Sequence, residues 1–268
     1  MRVSEAYYNS KDYKRKKLKA ELYHDNFQNY KRYNIPPAQL VIADIPYNTG
    51  SDAYASNPQW YEDGEIEKGQ SDKAGEQFFN TDSNFNIAEY MHFCSKLLKD
   101  EPEDSGEAPA MIVFCAFEQI PMIKKYGKKY GFENSYPLFF IKNYSPQVLK
   151  ANMRIVGATE HAVVLYRDKL PKFNNNGKMV YNWMEWPKSD SAPNIHPTQK
   201  PLPLLKRLIR LFTDEWEVVV DPVAGSGATL RAAAETNRNS YGFEVDRDFY
   251  QEANEKMLDE LQCSFSFN

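Results

Sequence analysis

The sequence predicts an α/β protein built on a doubly wound, mostly parallel sheet of seven strands. Two observations support this fold class. Short runs of apolar, β-branched or aromatic residues alternate along the chain with longer segments of helical periodicity. Several of the short runs are apolar at every position, which is typical of strands that are covered on both faces by helices.

Seven runs have the length and composition of strands, and helical patterns follow most of them. The predicted strands are residues 20–24, 39–44, 108–116, 135–141, 160–167, 217–221 and 240–245. The predicted helices are residues 86–98, 117–130, 201–212, 227–237 and 247–262. Within 201–212, leucine, isoleucine and phenylalanine recur three or four positions apart, which gives this helix one apolar face.

Two segments have neither pattern, so we expect residues 1–268 to form a single domain with two insertions. Residues 48–85 are polar and acidic, and residues 168–195 are rich in asparagine and aromatic residues. Loops of this length inside a compact domain are either disordered or functional. Both insertions are therefore candidates for a functional role.

Composition excludes several classes of protein. Of the 268 residues, 42% are hydrophobic and 26% are charged. The mean hydropathy is -0.68, and no apolar run is long enough for a membrane span. The basic N-terminus lacks the apolar segment of a signal peptide, so we expect a cytoplasmic protein. Cys94, Cys115 and Cys263 are too few and too widely spaced for a disulfide scaffold or a zinc site, and we expect no metal.

The charge is unevenly distributed along this acidic chain. The formal net charge is -4, but residues 52–107 hold fourteen acidic and four basic side chains, so the remainder is net positive. Basic clusters lie at 11–19, 124–129 and 206–210. Each cluster alone is typical of a solvated surface, whereas a localised basic face is compatible with a polyanionic partner.

A glycine turn near the C-terminus predicts a nucleoside-binding site. Gly225 and Gly227 stand between the strand 217–221 and a helix, where glycine lets the backbone approach a ligand closely. Glu244 ends the next strand, and a carboxylate at that place can accept hydrogen bonds from a ribose diol. Asp221 would repel a pyrophosphate but suits an amino group, which disfavours a nicotinamide dinucleotide.

A second loop at a strand end carries the candidate catalytic residues Asp44, Ile45, Pro46 and Tyr47. Ligands of open parallel sheets bind at the carboxyl ends of the strands, which is where this loop lies. Three motifs occur together: ADIPYN at 43–48, HPTQKP at 196–201 and DPVAGSG at 221–227. In these motifs and in their order the sequence resembles the β group of amino-group DNA methyltransferases, which methylate adenine N6 or cytosine N4.

The resemblance covers essentially the whole chain and implies an S-adenosyl-L-methionine-dependent DNA methyltransferase of circularly permuted order. The lone pair of an exocyclic amine is delocalised into the ring, and two hydrogen-bond acceptors would free it for attack. Asp44 would supply one acceptor and the backbone carbonyl of Ile45 the other, while Tyr47 would stack on the flipped base. Ile45 stands where the family usually has proline, which leaves the carbonyl in place.

The resemblance and the glycine turn together imply the set of cofactor-binding residues. They are Asp25, Asn26, Thr198, Lys200, Asp221, Pro222, Val223, Ala224, Gly225, Ser226, Gly227, Thr229 and Glu244. Only two strands follow the start of the glycine loop, so we expect the strand 20–24 to lie beside them with Asp25 at its carboxyl end. An acid there binds the adenine amino group of the cofactor in the family, and a turn or cap residue is the alternative. Val223 stands where the family usually has phenylalanine.

The leading hypothesis is a site-specific adenine N6-methyltransferase, because Asp44 occupies a position where the family's cytosine enzymes more often have serine. The predicted partner is double-stranded DNA, with a second copy of the chain and a restriction enzyme as further candidates. The insertion 48–85 would lie over the active site, and 168–195 would form the target-recognition loop. The alternatives are a cytosine N4-methyltransferase, a catalytically silent DNA-binding subunit and, least favoured, a nicotinamide oxidoreductase.

Overall fold

One mixed sheet of eight strands organises the residues that the computed structural model describes, namely 18–46, 85–142, 158–187, 192–196 and 198–259. Across the sheet the strands lie in the order β1-β8-β7-β2-β3-β5-β4-β6. They are β1 (Ala20–His24), β2 (Leu40–Asp44), β3 (Ala110–Cys115), β4 (Asn134–Lys142), β5 (Thr159–Tyr166), β6 (Trp183–Trp186), β7 (Val218–Asp221) and β8 (Asn239–Glu244).

The five strands from β1 to β3 in this order are parallel to one another, whereas β5 runs antiparallel to both β3 and β4. The edge strand β6 is parallel to β4. Every residue of β3 and of β7 is buried, as a strand with helices on both faces requires. The predicted α/β class and mostly parallel sheet are confirmed, and all seven predicted strands are present.

The first strand of the chain lies next to the last one. Strand β1 pairs in parallel with β8, with Ala20 opposite Ser240 and His24 opposite Glu244. This pairing was predicted because the glycine loop is followed by too few strands to complete its half of the sheet. It places the end of β1, and therefore Asp25, beside the end of β8.

Helices cover the two faces of the sheet and form two hydrophobic cores. One core lies under α1 (Ile87–Leu97) and α2 (Ile120–Lys129), and the other under α3 (Leu202–Phe212) and α4 (Ala228–Ala234). The helix α5 (Arg247–Glu252) continues as a π-helical segment over 253–258, whose apolar residues join the second core. The apolar face predicted for 201–212 is buried in α3.

The expectation that residues 168–195 lack regular structure is wrong at β6, which also raises the strand number from seven to eight. Met184 and Trp186 are buried, whereas Trp183 and Glu185 are exposed. The register places Lys142 of β4 opposite Trp186. The four residues of β6 cover only two periods of the alternation between buried and exposed side chains. Because a tryptophan lies on each face, the sequence shows no alternation between apolar and polar residues that would predict a strand.

Several predicted features fall on residues that the structure does not describe. Tyr47, the basic cluster 11–19 apart from its last two residues, and the insertion 48–85 apart from Phe85 lie outside the described residues. Phe85 packs beside Tyr90, with ring centroids 5.6 Å apart. Within the described ranges, no helix is long and apolar enough to cross a membrane.

Gly242 lies where β8 packs closely against the loop and helix that follow β7. A Cβ at this position would lie 2.8 Å from Leu230 Cδ1, 3.1 Å from Ala224 Cβ and 3.2 Å from the Asp221 carbonyl oxygen. We expect Gly242→Ala to lower the free energy of unfolding by about 1–3 kcal/mol, because the backbone oxygen and Ala224 have little room to move. Urea denaturation measures the change.

Ser240→Ala serves as the control for this substitution. Ser240 lies on the same face of β8 and donates a 3.3 Å hydrogen bond to the Leu230 carbonyl, so its removal adds no atom. We expect a loss of about 1 kcal/mol or less. A Gly242→Ala variant as stable as Ser240→Ala would contradict the close packing described above.

Candidate active site

Three carboxylates stand at the ends of three adjacent parallel strands. Glu244 ends β8, Asp221 ends β7 and Asp44 ends β2. The carboxyl ends of parallel strands meet at one edge of a sheet, so residues 43–46 and the loop at 221–227 lie at the same edge although they are distant in sequence. Asp221 is close enough to the other two carboxylates for their charges to act on it.

The loop between β7 and α4 turns sharply at its two glycines. Gly225 has φ +51° and Gly227 has φ +74°, a left-handed conformation that favours glycine. The Ala224 amide donates to the Phe243 carbonyl at 2.8 Å, which ties the loop to β8. The glycine spacing noted in the sequence therefore corresponds to two backbone positions that side chains would strain.

Glu244 is fixed by backbone donors on both sides of its carboxylate. Its Oε2 accepts from the Gly225 amide at 2.8 Å and its Oε1 from the Asp246 amide at 2.7 Å. Burial raises the pKa of Glu244, although these amide hydrogen bonds oppose the shift. A carboxylate has about four lone-pair sites, so the group can still accept a hydrogen bond from a ligand.

Asp221 is buried beneath the same loop. Its carboxylate accepts from the Val223 amide at 3.1 Å and from the side chain of Thr229. Burial raises the pKa of Asp221 to about 7, and the charges of Asp44 and Glu244 add to the rise. A cation placed beside Asp221 would favour its charged form.

Asp25 and Asn26 follow β1 at the same edge of the sheet. The Asp25 carboxylate accepts from the Asn26 amide at 2.8 Å, from Asn29 Nδ2 at 2.7 Å and from the Tyr33 hydroxyl at 2.9 Å, and it pairs with Arg32 at 3.4 Å. Burial alone would raise the pKa of Asp25, but the hydrogen bonds hold it below its usual value. Asn26 caps the 3-10 helix that follows. Both side chains thus stabilise this turn.

The catalytic-loop residues Asp44, Ile45 and Pro46 are held against the end of β3. Ile45 is buried, and its amide donates to the Phe114 carbonyl at 3.3 Å. The Pro46 carbonyl accepts from Gln119 Nε2 at 2.9 Å, and Gln119 Oε1 in turn accepts from the Ala116 amide at 2.9 Å. The sequence indicates no role for Gln119, because nothing local distinguishes a glutamine after a strand.

Lys200 lies at the catalytic loop. Its Nζ forms an ion pair with Asp44 Oδ2, and the side chain is buried. The same Nζ lies 3.4 Å from the Thr198 carbonyl oxygen. The sequence assigns Lys200 to cofactor binding, whereas the structure places it beside Asp44, a residue of the candidate catalytic loop.

His196 covers the glycine loop. A Cβ on Gly225 would lie 3.6 Å from His196 Cδ2, and the imidazole packs on Phe249 with ring centroids 4.6 Å apart. The Thr198 amide donates to Nδ1 at 3.3 Å. Burial lowers the pKa of His196 to about 4, with a contribution from the charge of Lys200, so the ring is neutral at physiological pH. The sequence placed His196 in this region by resemblance alone.

These residues fit a cationic nucleoside cofactor. Fixed carboxylates at three strand ends attract positive charge and would repel a pyrophosphate. Glu244 can accept from hydroxyl groups, and the glycine turn leaves room for close approach of a ligand to the backbone. The described residues contain no group of three or more His, Cys, Asp or Glu side chains that could hold a metal ion.

Several known methyltransferases are similar to this chain in sequence, and a solved structure is similar to it in fold. The chain is 25% identical over 251 residues to the DNA adenine methyltransferase YhdJ of Escherichia coli, covering 86% of this chain and 80% of the relative. It is 23% identical over 240 residues to the Type II methyltransferase M.HpaI of Haemophilus parainfluenzae, covering 83% of this chain and 68% of that protein. The crystal structure of the M1.HpyAVI–SAM complex superposes with a TM-score of 0.63 at 23% identity, over 87% of this chain and 97% of that one.

The family comparison extends over most of the sequence. Residues 38–255 match the model of the N6/N4 family described as DNA methylase. This range contains the candidate catalytic loop, the HPTQKP motif and the glycine loop. The protein therefore belongs to the N6/N4 DNA methylase family and is a DNA methyltransferase that uses S-adenosyl-L-methionine.

Proposed function

We propose that the protein methylates the N6 amino group of adenine in double-stranded DNA, with Asp44, Ile45, Pro46 and Tyr47 as its catalytic loop. The observation that carries this proposal is the position of Asp44, which stands at the carboxyl end of β2 beside the cofactor loop at the end of β7. An aspartate at the first position of the loop favours adenine, because cytosine enzymes of the family more often have serine there.

The target amine is activated by acceptors on this chain. Asp44 and the carbonyl of Ile45 accept its two hydrogens and draw the nitrogen lone pair out of conjugation with the ring. When bound, S-adenosyl-L-methionine supplies a sulfonium methyl: the nitrogen lone pair forms the N–C bond, the C–S electron pair stays on sulfur, and the amine releases one proton to water. Acceptors that are already fixed in place lower the cost of reorganisation during transfer.

The loop rigidity that proline supplies elsewhere in the family comes from contacts in this chain. The Ile45 amide bonds to β3, which a proline could not do, and Gln119 holds the next carbonyl. Both contacts leave the Ile45 carbonyl available as an acceptor in the proposed role. The departure from the family pattern is therefore consistent with activity.

For the cofactor, we propose that Glu244 binds the ribose diol and that Asp221 lies near the positive charge. The remaining residues of the proposed site are Asp25, Asn26, Thr198, Pro222, Val223, Ala224, Gly225, Ser226, Gly227 and Thr229, whereas Lys200 of the set predicted from the sequence pairs with Asp44. Asp25 contributes through the turn after β1, because four donors of the chain already surround its carboxylate. The pairing of β1 with β8 supports the permuted strand order that the motifs imply.

For DNA recognition, we propose that residues 168–195 contribute to reading of the target sequence. Tyr181 and Trp183 are exposed and stacked, with centroids 6.1 Å apart. Aromatic faces of this kind suit contact with bases. The likeness to M.HpaI, a Type II methyltransferase, supports the proposal that a restriction enzyme accompanies this methyltransferase. The methyltransferase would act on DNA in the cytoplasm.

The decisive experiment measures transfer of labelled methyl groups from S-adenosyl-L-methionine to unmethylated DNA, followed by analysis of the product nucleosides. We expect N6-methyladenine. N4-methylcytosine would replace the proposal by the cytosine alternative. Cofactor binding without transfer to DNA of varied sequence would indicate a silent subunit.

Asp44→Ala should abolish most of the methyl transfer while cofactor affinity is retained. Removal of one preorganised hydrogen-bonding group at a reacting centre typically lowers kcat by about 10²–10³-fold. Single-turnover kinetics measure the rate, calorimetry measures the cofactor affinity, and a thermal melt checks the fold. A variant that retains its rate, or one that loses cofactor binding, would remove Asp44 from the proposed catalytic role.

Gln119→Leu should lower kcat by roughly fivefold, because the loop loses a hydrogen bond worth about 1 kcal/mol that fixes the Pro46 carbonyl. Cofactor affinity should be unchanged. The neighbouring exposed Glu118, substituted as Glu118→Gln, is the matched control and should keep full activity. Equal rates for the two variants would show that Gln119 does not position the loop.

Cofactor affinity should rise with pH up to about 7 and then level off. Asp221 holds a proton below its raised pKa of about 7, and a cationic cofactor favours the charged form, so binding below pH 7 must expel that proton. The dissociation constant should fall by up to about tenfold per pH unit toward pH 7. Calorimetry in buffers of different ionisation enthalpy counts the proton. Asp221→Asn should lose this dependence, and an unchanged pH profile in that variant would assign the effect to another group.

A further inference from the structure

Lys200 is one of two buried lysines that contact the same tryptophan. Its exposed fraction is 7% and that of Lys142 is 8%. The Nζ of Lys200 lies 5.7 Å from the centroid of the Trp186 ring, and that of Lys142 lies 4.7 Å from it. Each lysine pairs with its own carboxylate, Lys200 with Asp44 and Lys142 with Glu160.

We infer that Lys200 is a positioning residue for Asp44. Its ammonium holds the Asp44 carboxylate in one orientation for the target amine, and the rings of Trp186 and Phe114 hold the lysine in place. This inference rests on the proposed catalytic role of Asp44. It assigns Lys200 to the catalytic loop and gives the edge strand β6, which carries Trp186, a part in the active site.

A row of packed aromatic side chains from three strands surrounds the Lys200 ammonium on one side. Phe114 lies 5.4 Å from Nζ and stacks on Phe140, with ring centroids 5.1 Å apart. Phe140 in turn meets Trp186 edge-on at 6.2 Å. The negative faces of aromatic rings attract an ammonium, and the attraction is larger where water is excluded. This row therefore offsets part of the cost of burying the lysine and restricts where its charge can lie.

Two further ionisable groups that act on or feel the charge of Asp44 do not supply a positive charge. The carboxylate of Asp221 at the end of β7 repels that of Asp44, and the Cys115 thiol at the end of β3 stays neutral, since burial and the Asp44 charge raise its pKa to about 12. Lys200 supplies a positive charge to this carboxylate through their ion pair. A carboxylate has about four lone-pair sites, so one ion pair leaves acceptor capacity for the amine.

The two possible roles of Lys200 predict different kinetics. As a positioning residue, Lys200→Met should lower kcat by roughly 10–100-fold and leave the calorimetric dissociation constant for S-adenosyl-L-methionine within about threefold. The acidic limb of the kcat–pH profile should move to higher pH, because Asp44 loses the charge that favours its ionised form. Lys200→Arg should recover part of the rate. A weakened cofactor affinity with kcat unchanged would overturn the inference.

Lys142→Met is the matched control. Lys142 is equally buried, also contacts the Trp186 ring and pairs with Glu160, not with Asp44. Its removal should therefore keep kcat within about threefold of the wild type. Trp186→Leu should lower kcat in the same direction as Lys200→Met, and Trp186→Phe should retain more activity. If Lys142→Met lost as much activity as Lys200→Met, the loss would reflect the stability of this region and the inference would be wrong.

A measurement without cofactor or DNA separates this inference from the proposed function. In protein labelled with ¹³C at the aspartate carboxyl carbons, the Asp44 resonance, assigned through Asp44→Asn, reports its titration. We expect a higher pKa for Asp44 in Lys200→Met than in the wild type. An unchanged titration would overturn the inference even if the enzyme is active. A wild type that transfers no methyl group would refute the proposed function, while the titration would still decide whether Lys200 controls Asp44.

Discussion

The meeting of three carboxylates, those of Asp44, Asp221 and Glu244, at one edge of the sheet is the constraint on which the rest of the site depends. The parallel arrangement of β8, β7 and β2 brings their carboxyl ends together, and the sequence places an acid at each. Each charge is offset in a different way. Glu244 accepts two backbone amides, Asp221 is buried with its pKa raised to about 7, and Asp44 pairs with Lys200. A cationic cofactor would favour the charged form of Asp221, against the burial and the neighbouring carboxylates that raise its pKa. Binding of the cofactor would therefore be coupled to release of the Asp221 proton.

The proposed catalytic loop is held at its second and third residues and at the carboxylate of its first. The Ile45 amide and the Pro46 carbonyl are bound to the end of β3 and to Gln119, so this strand supports the loop on one side. Lys200, supported by Trp186, approaches Asp44 from the other side. Support of this kind matters because acceptors for a weakly nucleophilic amine contribute only when their positions do not have to be found during the reaction.

Edge strand β6 shows how a short element can be important for chemistry without a clear sequence pattern. Its four residues pair with a single neighbour, and alternation over so short a run is indistinguishable from an irregular aromatic segment. Its place at the sheet edge nevertheless brings Trp186 against Phe140 and the two buried lysines. In these proposals, residues 168–195 therefore combine a recognition surface, at Tyr181 and Trp183, with contacts that hold Lys200 beside Asp44.

The sequence by itself determined the seven strands that it predicted, their mostly parallel arrangement and the positions of Asp44, Asp221 and Glu244 at strand ends. Apolar runs and glycine turns are local signals, and the family motifs are contiguous. Only the tertiary structure decided which side chains meet: Lys200 with Asp44 across 156 residues and Gln119 with Pro46 across 73. Such contacts depend on which strands are neighbours and on which face each side chain lies. No local pattern encodes either, so the contacts of Lys200 and Gln119 with the proposed catalytic loop exist only in the folded chain.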